Sequence, residues 1–152
     1  MQPVTETTLE IHLQHLEHNF NYINKRINSA TKIMGVVKAF AYGSDSVIIA
    51  KKLEQLKVDY LAVAYVSEGV QLRDSGIQTP VLVLHPQTVN FSQIVERCLE
   101  PNIYSPLMLE RFIAYAENEK LENYPIHLKI NTGMNRIGFA SNQVDAIAAA
   151  LS

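Results

Sequence analysis

Short apolar runs of strand length alternate along this chain with longer segments of helical periodicity, and that alternation restricts the fold more than any other feature. Lys32–Ala39 (KIMGVVKA), Tyr60–Tyr65 (YLAVAY), Pro80–Leu84 (PVLVL), Asn102–Tyr104 and Ile126–Ile130 (IHLKI) read as strands, the first with the nearly continuous apolar profile of a strand covered on both faces. Between them the spacing predicts helices over Leu16–Ile27, Asp45–Leu56, Ser67–Asp74, Phe91–Cys98 and Pro106–Glu119, with another beginning near Asn142. Lys25 and Arg26 fall in the last turn of the first helix, where cations suit the helix dipole. A short leading strand is predicted at Thr8–Leu13, from the alternation of Leu9, Ile11 and Leu13.

Strict strand–helix alternation with short connections implies parallel strands joined by right-handed crossovers, so the candidates are an open doubly wound sheet and a barrel. Lys38, Tyr65, His85, Asn131 and Thr132 all fall at or just past strand C-termini, the edge where either fold puts its chemistry. A closed eight-stranded barrel typically takes about 250 residues. This chain has 152 and ends at Ala148-Ala149-Ala150-Leu151-Ser152 within helical pattern, so either the fold is smaller or the barrel is incomplete.

Thirteen basic and fifteen acidic side chains are interspersed to a net charge of -2, which leaves no electrostatic footprint for nucleic acid and favours a small-molecule partner. No apolar run approaches membrane-spanning length and the N-terminus lacks a signal-peptide core, so no membrane partner is expected. The single Cys98 is expected as a buried structural thiol, and a cytoplasmic location fits. His12, His15 and His18 recur at three-residue spacing, which reads as a polar helix face rather than a metal site. Tyr60, Tyr65 and Tyr104 are expected to pack in the sheet wall.

Two clusters carry the candidate chemistry. In Val36-Val37-Lys38-Ala39-Phe40-Ala41-Tyr42-Gly43, a lysine ending a buried strand can be desolvated into a free amine competent for Schiff-base formation. Small neighbours leave room for a flat cofactor, and Tyr42 with Gly43 offers a hydroxyl and a flexible turn to hold a phosphate. From periodicity alone, the commoner case is a lysine that snorkels to water. In His127-Leu128-Lys129-Ile130-Asn131-Thr132-Gly133-Met134-Asn135-Arg136-Ile137-Gly138-Phe139, a strand ends at Asn131-Thr132 and the following loop presents Arg136. Its planar guanidinium suits a carboxylate or a phenolic oxygen, and the plain alternative is a turn with a surface arginine.

The segment VVKAFAYG resembles the lysine motif of the alanine racemases, which use pyridoxal 5'-phosphate (PLP), and HLKINTGMNRIGF resembles their later strand–loop signature. Between and before these, YLAVAYVSEGVQLRDSGIQTPVLVLHP and TTLEIHLQHLEHNFNYI are similar to further strand–helix units of the family, in order and from about Thr8 onward. The resemblance implies an α/β fold: a parallel (βα) barrel of TIM type, incomplete, with about five of eight strands. Residues 1–152 would be the N-terminal part of that PLP-binding barrel, with a C-terminal β domain absent.

It further implies PLP as cofactor, alanine as substrate, a homo-oligomer, and Lys38 as the lysine that carries the cofactor as a Schiff base and serves as base on one face of the substrate's α-carbon. By position, Tyr42 would bind the phosphate, and Leu84 would line the cofactor cavity. Arg136 would lie near the phenolic oxygen and the substrate carboxylate, Met134 would lie near that carboxylate, and Lys129, often carbamylated in the family, would hold Arg136. The family's base on the opposite face would come after Ser152, so this chain alone is expected to be nearly inactive. The motifs depart from the usual pattern at Phe40 (commonly Asn), Ser44-Asp45 (often His-Gly), Asn131 (more often Asp) and Asn135 (more often small). The form VKAFAYG most resembles racemase domains fused behind a cell-wall ligase. Alternatives are a fold-type III amino-acid decarboxylase, which shares the barrel and lysine, and a non-catalytic half-barrel that binds a partner.

Overall fold

The structure, a computed structural model, describes residues 7–151. Five strands, β1 (Met34–Val36), β2 (Tyr60–Val63), β3 (Val81–Val83), β4 (Glu100–Ile103) and β5 (His127–Leu128), form one sheet in chain order. Every pairing is parallel, with Gly35 opposite Leu61, Ala62 opposite Leu82, Leu82 opposite Glu100 and Asn102 opposite His127. α1 (Leu13–Asn24) leads, and each strand is followed by a helix: α2 (Ser46–Gln55), α3 (Val66–Asp74), α4 (Phe91–Glu96), α5 (Pro106–Asn118) and α6 (Val144–Ala150). A doubly wound sheet reverses its strand order at a switch point, whereas consecutive neighbours throughout are the arrangement of a barrel wall. The five strands are part of such a wall.

Side chains of period two divide the sheet into two faces. Leu61, Val63, Val81, Val83 and Ile103 are fully buried and cluster with Leu53 of α2, Leu72 of α3, Ile94 of α4 and Phe112 of α5. Met34 and Val36 point to the other face and are each 40% exposed, so β1 is not covered on both sides as its apolar run suggests. The helix starts follow local chemistry: Asp45 accepts the Ile48 amide at 2.9 Å ahead of α2, and Ser105 accepts the Met108 amide at 3.2 Å ahead of α5, whose first residue is Pro106. Arg73 of α3 ties the layers together, donating to the carbonyls of Ile77, Thr79, Arg97 and Cys98 at 2.8–3.0 Å.

Four further expectations are corrected. Thr8–Leu13 is not a strand: Thr8–His12 has no regular structure, Leu13 opens α1, and Leu9 is exposed, because alternation makes a strand only where a neighbouring ladder is available. α1 runs three residues earlier than its periodicity suggests, leaving Lys25 and Arg26 beyond its end. Arg26 still serves that end, donating to the Tyr22 carbonyl at 3.3 Å with its guanidinium over the Tyr22 ring. Cys98 is exposed, in a left-handed turn (φ 49°) after α4, where the chain reverses at the surface. Tyr65 also stays largely exposed instead of packing in the wall, because it stands at the mouth of the sheet.

Candidate active site at the carboxyl edge of the sheet

β1 stops at Val36, two residues short of Lys38, and the chain then enters a left-handed helical turn instead of continuing as strand. Ala39, Phe40, Ala41 and Tyr42 all have φ between 50° and 59°, followed by Gly43 at 91°. Left-handed helix costs an L-residue roughly 1–2 kcal/mol, and such strain persists only where surrounding structure over-determines it. The fastenings are visible. Val37 donates its amide to Ala62 at 2.9 Å, its carbonyl accepts Ser46 Oγ at 3.0 Å and the Ala41 amide at 3.1 Å, and Ser44 closes the turn on the Phe40 carbonyl at 2.7 Å. The Ala39 amide reaches across to Glu68 Oε1 at 2.7 Å.

The second motif is anchored as firmly. After β5, Asn131 donates to the Phe139 carbonyl and Phe139 to the Lys129 carbonyl, each at 2.8 Å, so residues 131–139 form a loop pinned at its neck. Gly138 (φ 126°) sits in that neck, where a Cβ would lie 2.8 Å from the Asn131 nitrogen and 3.0 Å from the Lys129 oxygen. No side chain fits there. The loop projects Arg136 back over the strand ends.

Lys38 and Arg136 thereby line one cavity of about 280 Å³, with Ala64, Leu84 and Ile137 as its apolar walls and Tyr65 and His85 at its side. A second cavity of about 270 Å³ shares Leu84, Arg136 and Ile137 and brings in Lys129, Met134 and Asn102. Each lies near the lower end of ligand-pocket sizes, roughly 300 Å³, and together they reach into it. No carboxylate lines either one, whereas Lys38, Lys129 and Arg136 do, so the space attracts anions. Neither Arg136 nor Lys129 makes a side-chain hydrogen bond or ion pair among the described residues, and they do not bond each other.

Of the six residues that the sequence singles out, Lys38 and Arg136 share the first cavity, Lys129, Met134 and Arg136 share the second, and Leu84 belongs to both. Tyr42 lines neither; it is largely exposed, and its ring centroid is 5.9 Å from Lys38 Nζ. His85 stacks on Tyr104 at 5.3 Å and meets Tyr65 edge-on at 6.0 Å, an aromatic row along the strand ends that sequence spacing does not assemble. Sequence reasoning misses Glu68 entirely. The signal available for it is a glutamate two residues inside the start of α3, where acidic side chains suit a helix N-terminus.

The donor set fits a flat, anionic, aldehyde-bearing cofactor: a primary amine to condense with the aldehyde, a guanidinium unpaired among the described residues for a negative oxygen, and apolar walls for a ring. Residues 11–152 match the family model described as alanine racemase, N-terminal domain. The chain is 37% identical over 152 residues to the alanine racemase of Sorangium cellulosum and 39% identical over 150 residues to that of Citrifermentans bemidjiense. Those alignments take in 96% and 95% of this chain but 40% and 39% of the relatives, so it spans about two fifths of their length. The solved alanine racemase of Clostridium difficile 630 superposes with a TM-score of 0.85 at 37% identity, covering 91% of this chain and 37% of that one. Motif, cavity and comparisons agree, and the chain belongs to the alanine racemase N-terminal domain family.

Proposed function

We propose that this chain is the lysine-bearing, N-terminal part of a PLP-dependent alanine racemase barrel, and that Lys38 exchanges the α-proton of alanine on one face. The observation that carries the reading is the meeting of Lys38 and Arg136, 98 positions apart in the sequence, in one cavity that no acid lines. PLP, when bound, supplies the conjugated ring that takes up the electron pair left behind as the α-proton departs.

The rest is the work of the chain's own groups. Lys38 would hold the cofactor through its amine, and the same Nζ, as a free amine, would accept the α-proton of alanine and return it to the same face. The Arg136 fork would bind the phenolic oxygen and the substrate carboxylate and so orient the substrate in the cavity it shares with Lys38. Tyr42, which stands outside both cavities, would donate its hydroxyl to the phosphate at their mouth. Leu84 and Ile137 exclude water from the ring, Met134 packs near the carboxylate, and Lys129 supports Arg136. Two bare cations repel, so that support requires a modification that converts the Lys129 amine into an acceptor, such as carbamylation. The relatives' names favour a racemase over a decarboxylase. A homo-oligomer and a cytoplasmic location belong to the same proposal.

A one-faced base has a signature that does not require racemisation. With PLP and alanine in deuterium oxide, the chain is expected to wash deuterium into the α-position of one enantiomer faster than it interconverts the two, and Lys38→Ala is expected to stop the excess over free PLP. Equal wash-in by wild type and Lys38→Ala would exclude Lys38 as the base.

A further inference from the structure

We propose that Glu68 is the positioning residue for Lys38: its carboxylate clamps the left-handed turn that aims the amine, and it does so from the start of the neighbouring helix. The proposal rests on the reading that Lys38 captures the cofactor.

The two carboxylate oxygens do different jobs. Oε2 accepts the amides of Ala64 at 2.7 Å and Tyr65 at 3.0 Å, closing the end of β2 onto the first turn of α3. Oε1 accepts the Ala39 amide at 2.7 Å, across 29 positions of sequence. Ala39 is the first left-handed residue after Lys38, at φ 51° and ψ 55°, and its side is open to solvent. Unclamped, it would relax toward the ordinary right-handed or extended region and carry Lys38 with it. An ionised carboxylate accepting three backbone amides makes charge-assisted bonds, stronger than neutral ones and suited to hold a strained backbone in place. Glu68 touches neither cavity that Lys38 and Arg136 line, so it acts through the turn.

The asymmetry supplies a clean variant. Glu68→Gln keeps one accepting oxygen, which satisfies most donors by facing Ala64 and Tyr65. Its amide nitrogen then faces the Ala39 amide, donor against donor. The helix start survives and the clamp on the turn is lost.

The experiment has two arms on the full chain: backbone amide exchange by NMR without cofactor, and the rate at which PLP becomes fixed on Lys38 under borohydride. In wild type the Ala39 amide is expected to be protected even though the residue is exposed. In Glu68→Gln its exchange is expected to rise by about tenfold, the loss of one charge-assisted bond, while Ala64 and Tyr65 stay within about twofold. Fixation at Lys38 is expected to slow by about tenfold while the chain stays folded at the assay temperature, its melting temperature lower by only a few degrees. An Ala39 amide that exchanges in wild type as freely as in an unstructured peptide overturns the proposal without any variant. So does Glu68→Gln that leaves Ala39 exchange or Lys38 fixation as in wild type. Failure of wild type itself to fix PLP on Lys38 would instead sink the proposed function, whatever Ala39 does.

Discussion

Asn131 donates its side-chain amide to Asn135 Oδ1 across 2.7 Å, while its own Oδ1 accepts the backbone amides of Gly133 and Asn135 at 3.2 and 3.0 Å. These are the two positions in the Arg136 loop where the chain departs from the family's usual residues, and the departures pair with each other. An aspartate at 131 could accept the two backbone amides but could not donate to Asn135. The pair therefore braces the loop that carries Arg136, the next residue.

Asn131 and Asn135 are accordingly expected to be coupled. Asn131→Ala removes the side-chain oxygen that accepts two backbone amides, together with the side-chain bond to Asn135, and should cost roughly 1–2 kcal/mol, whereas Asn131→Asp keeps an accepting oxygen and should cost less. In a double-mutant cycle with Asn135→Ala, the second substitution should add little once Asn131 is gone. Thermal denaturation of the four proteins measures this, and full additivity would show that the pair is incidental.

Glu54 gives the fold an acid-sensitive clasp. Its Oε1 accepts the amides of Gln78 and Thr79 at 2.8 and 2.7 Å and the Thr79 hydroxyl at 2.9 Å, joining α2 to the approach to β3. Burial pushes the carboxyl up, but these three bonds and the charge of Arg73 outweigh it, and the carboxyl sits below its ordinary 4.5. In the interval beneath 4.5 the unfolded chain binds the proton more tightly than the folded one, so stability rises with pH. The contribution is complete above that value and lost as pH falls through the folded one. Glu54→Gln should lower stability at neutral pH and flatten the acid limb in denaturant titrations; an unchanged slope below pH 4.5 would refute the assignment.

Arg73 is expected to be irreplaceable by lysine. Four carbonyls around a planar fork match guanidinium geometry, and a single ammonium carries three donors on one atom. Arg73→Lys and Arg73→Ala should both destabilise by roughly 2–4 kcal/mol, since each leaves carbonyls without a donor. A lysine variant melting within a degree or two of wild type would count against this.

Much of the wall is legible in sequence because its signals are local. Asp45 and Ser105 mark helix starts by side chains that cap them, and the apolar runs at Tyr60–Tyr65 and Pro80–Leu84 end where β2 and β3 end, to within two residues. Placing Lys38 just past a strand's carboxyl end, and Arg136 in the loop that follows another, comes from the same pattern. The features that escape depend on contacts between distant segments. Nothing in Ala39-Phe40-Ala41-Tyr42 announces a left-handed turn, since none of the four is glycine; the conformation is imposed by Glu68, Ser46 and Ala62. Leu9 and Ile11 alternate correctly for a strand, yet pairing partners, not alternation, decide. Tyr65 has the chemistry of a wall residue and instead stands beside His85 at the rim.

The most direct measurement of the central claim is the site of PLP capture. Substoichiometric PLP is added to the chain, the adduct is reduced with borohydride, and the peptides are weighed. One adduct is expected, on the peptide carrying Lys38, and it should disappear in Lys38→Ala and weaken in Arg136→Ala. Capture spread over exposed lysines such as Lys32, Lys57 and Lys120, at equal levels in wild type and Lys38→Ala, would contradict it.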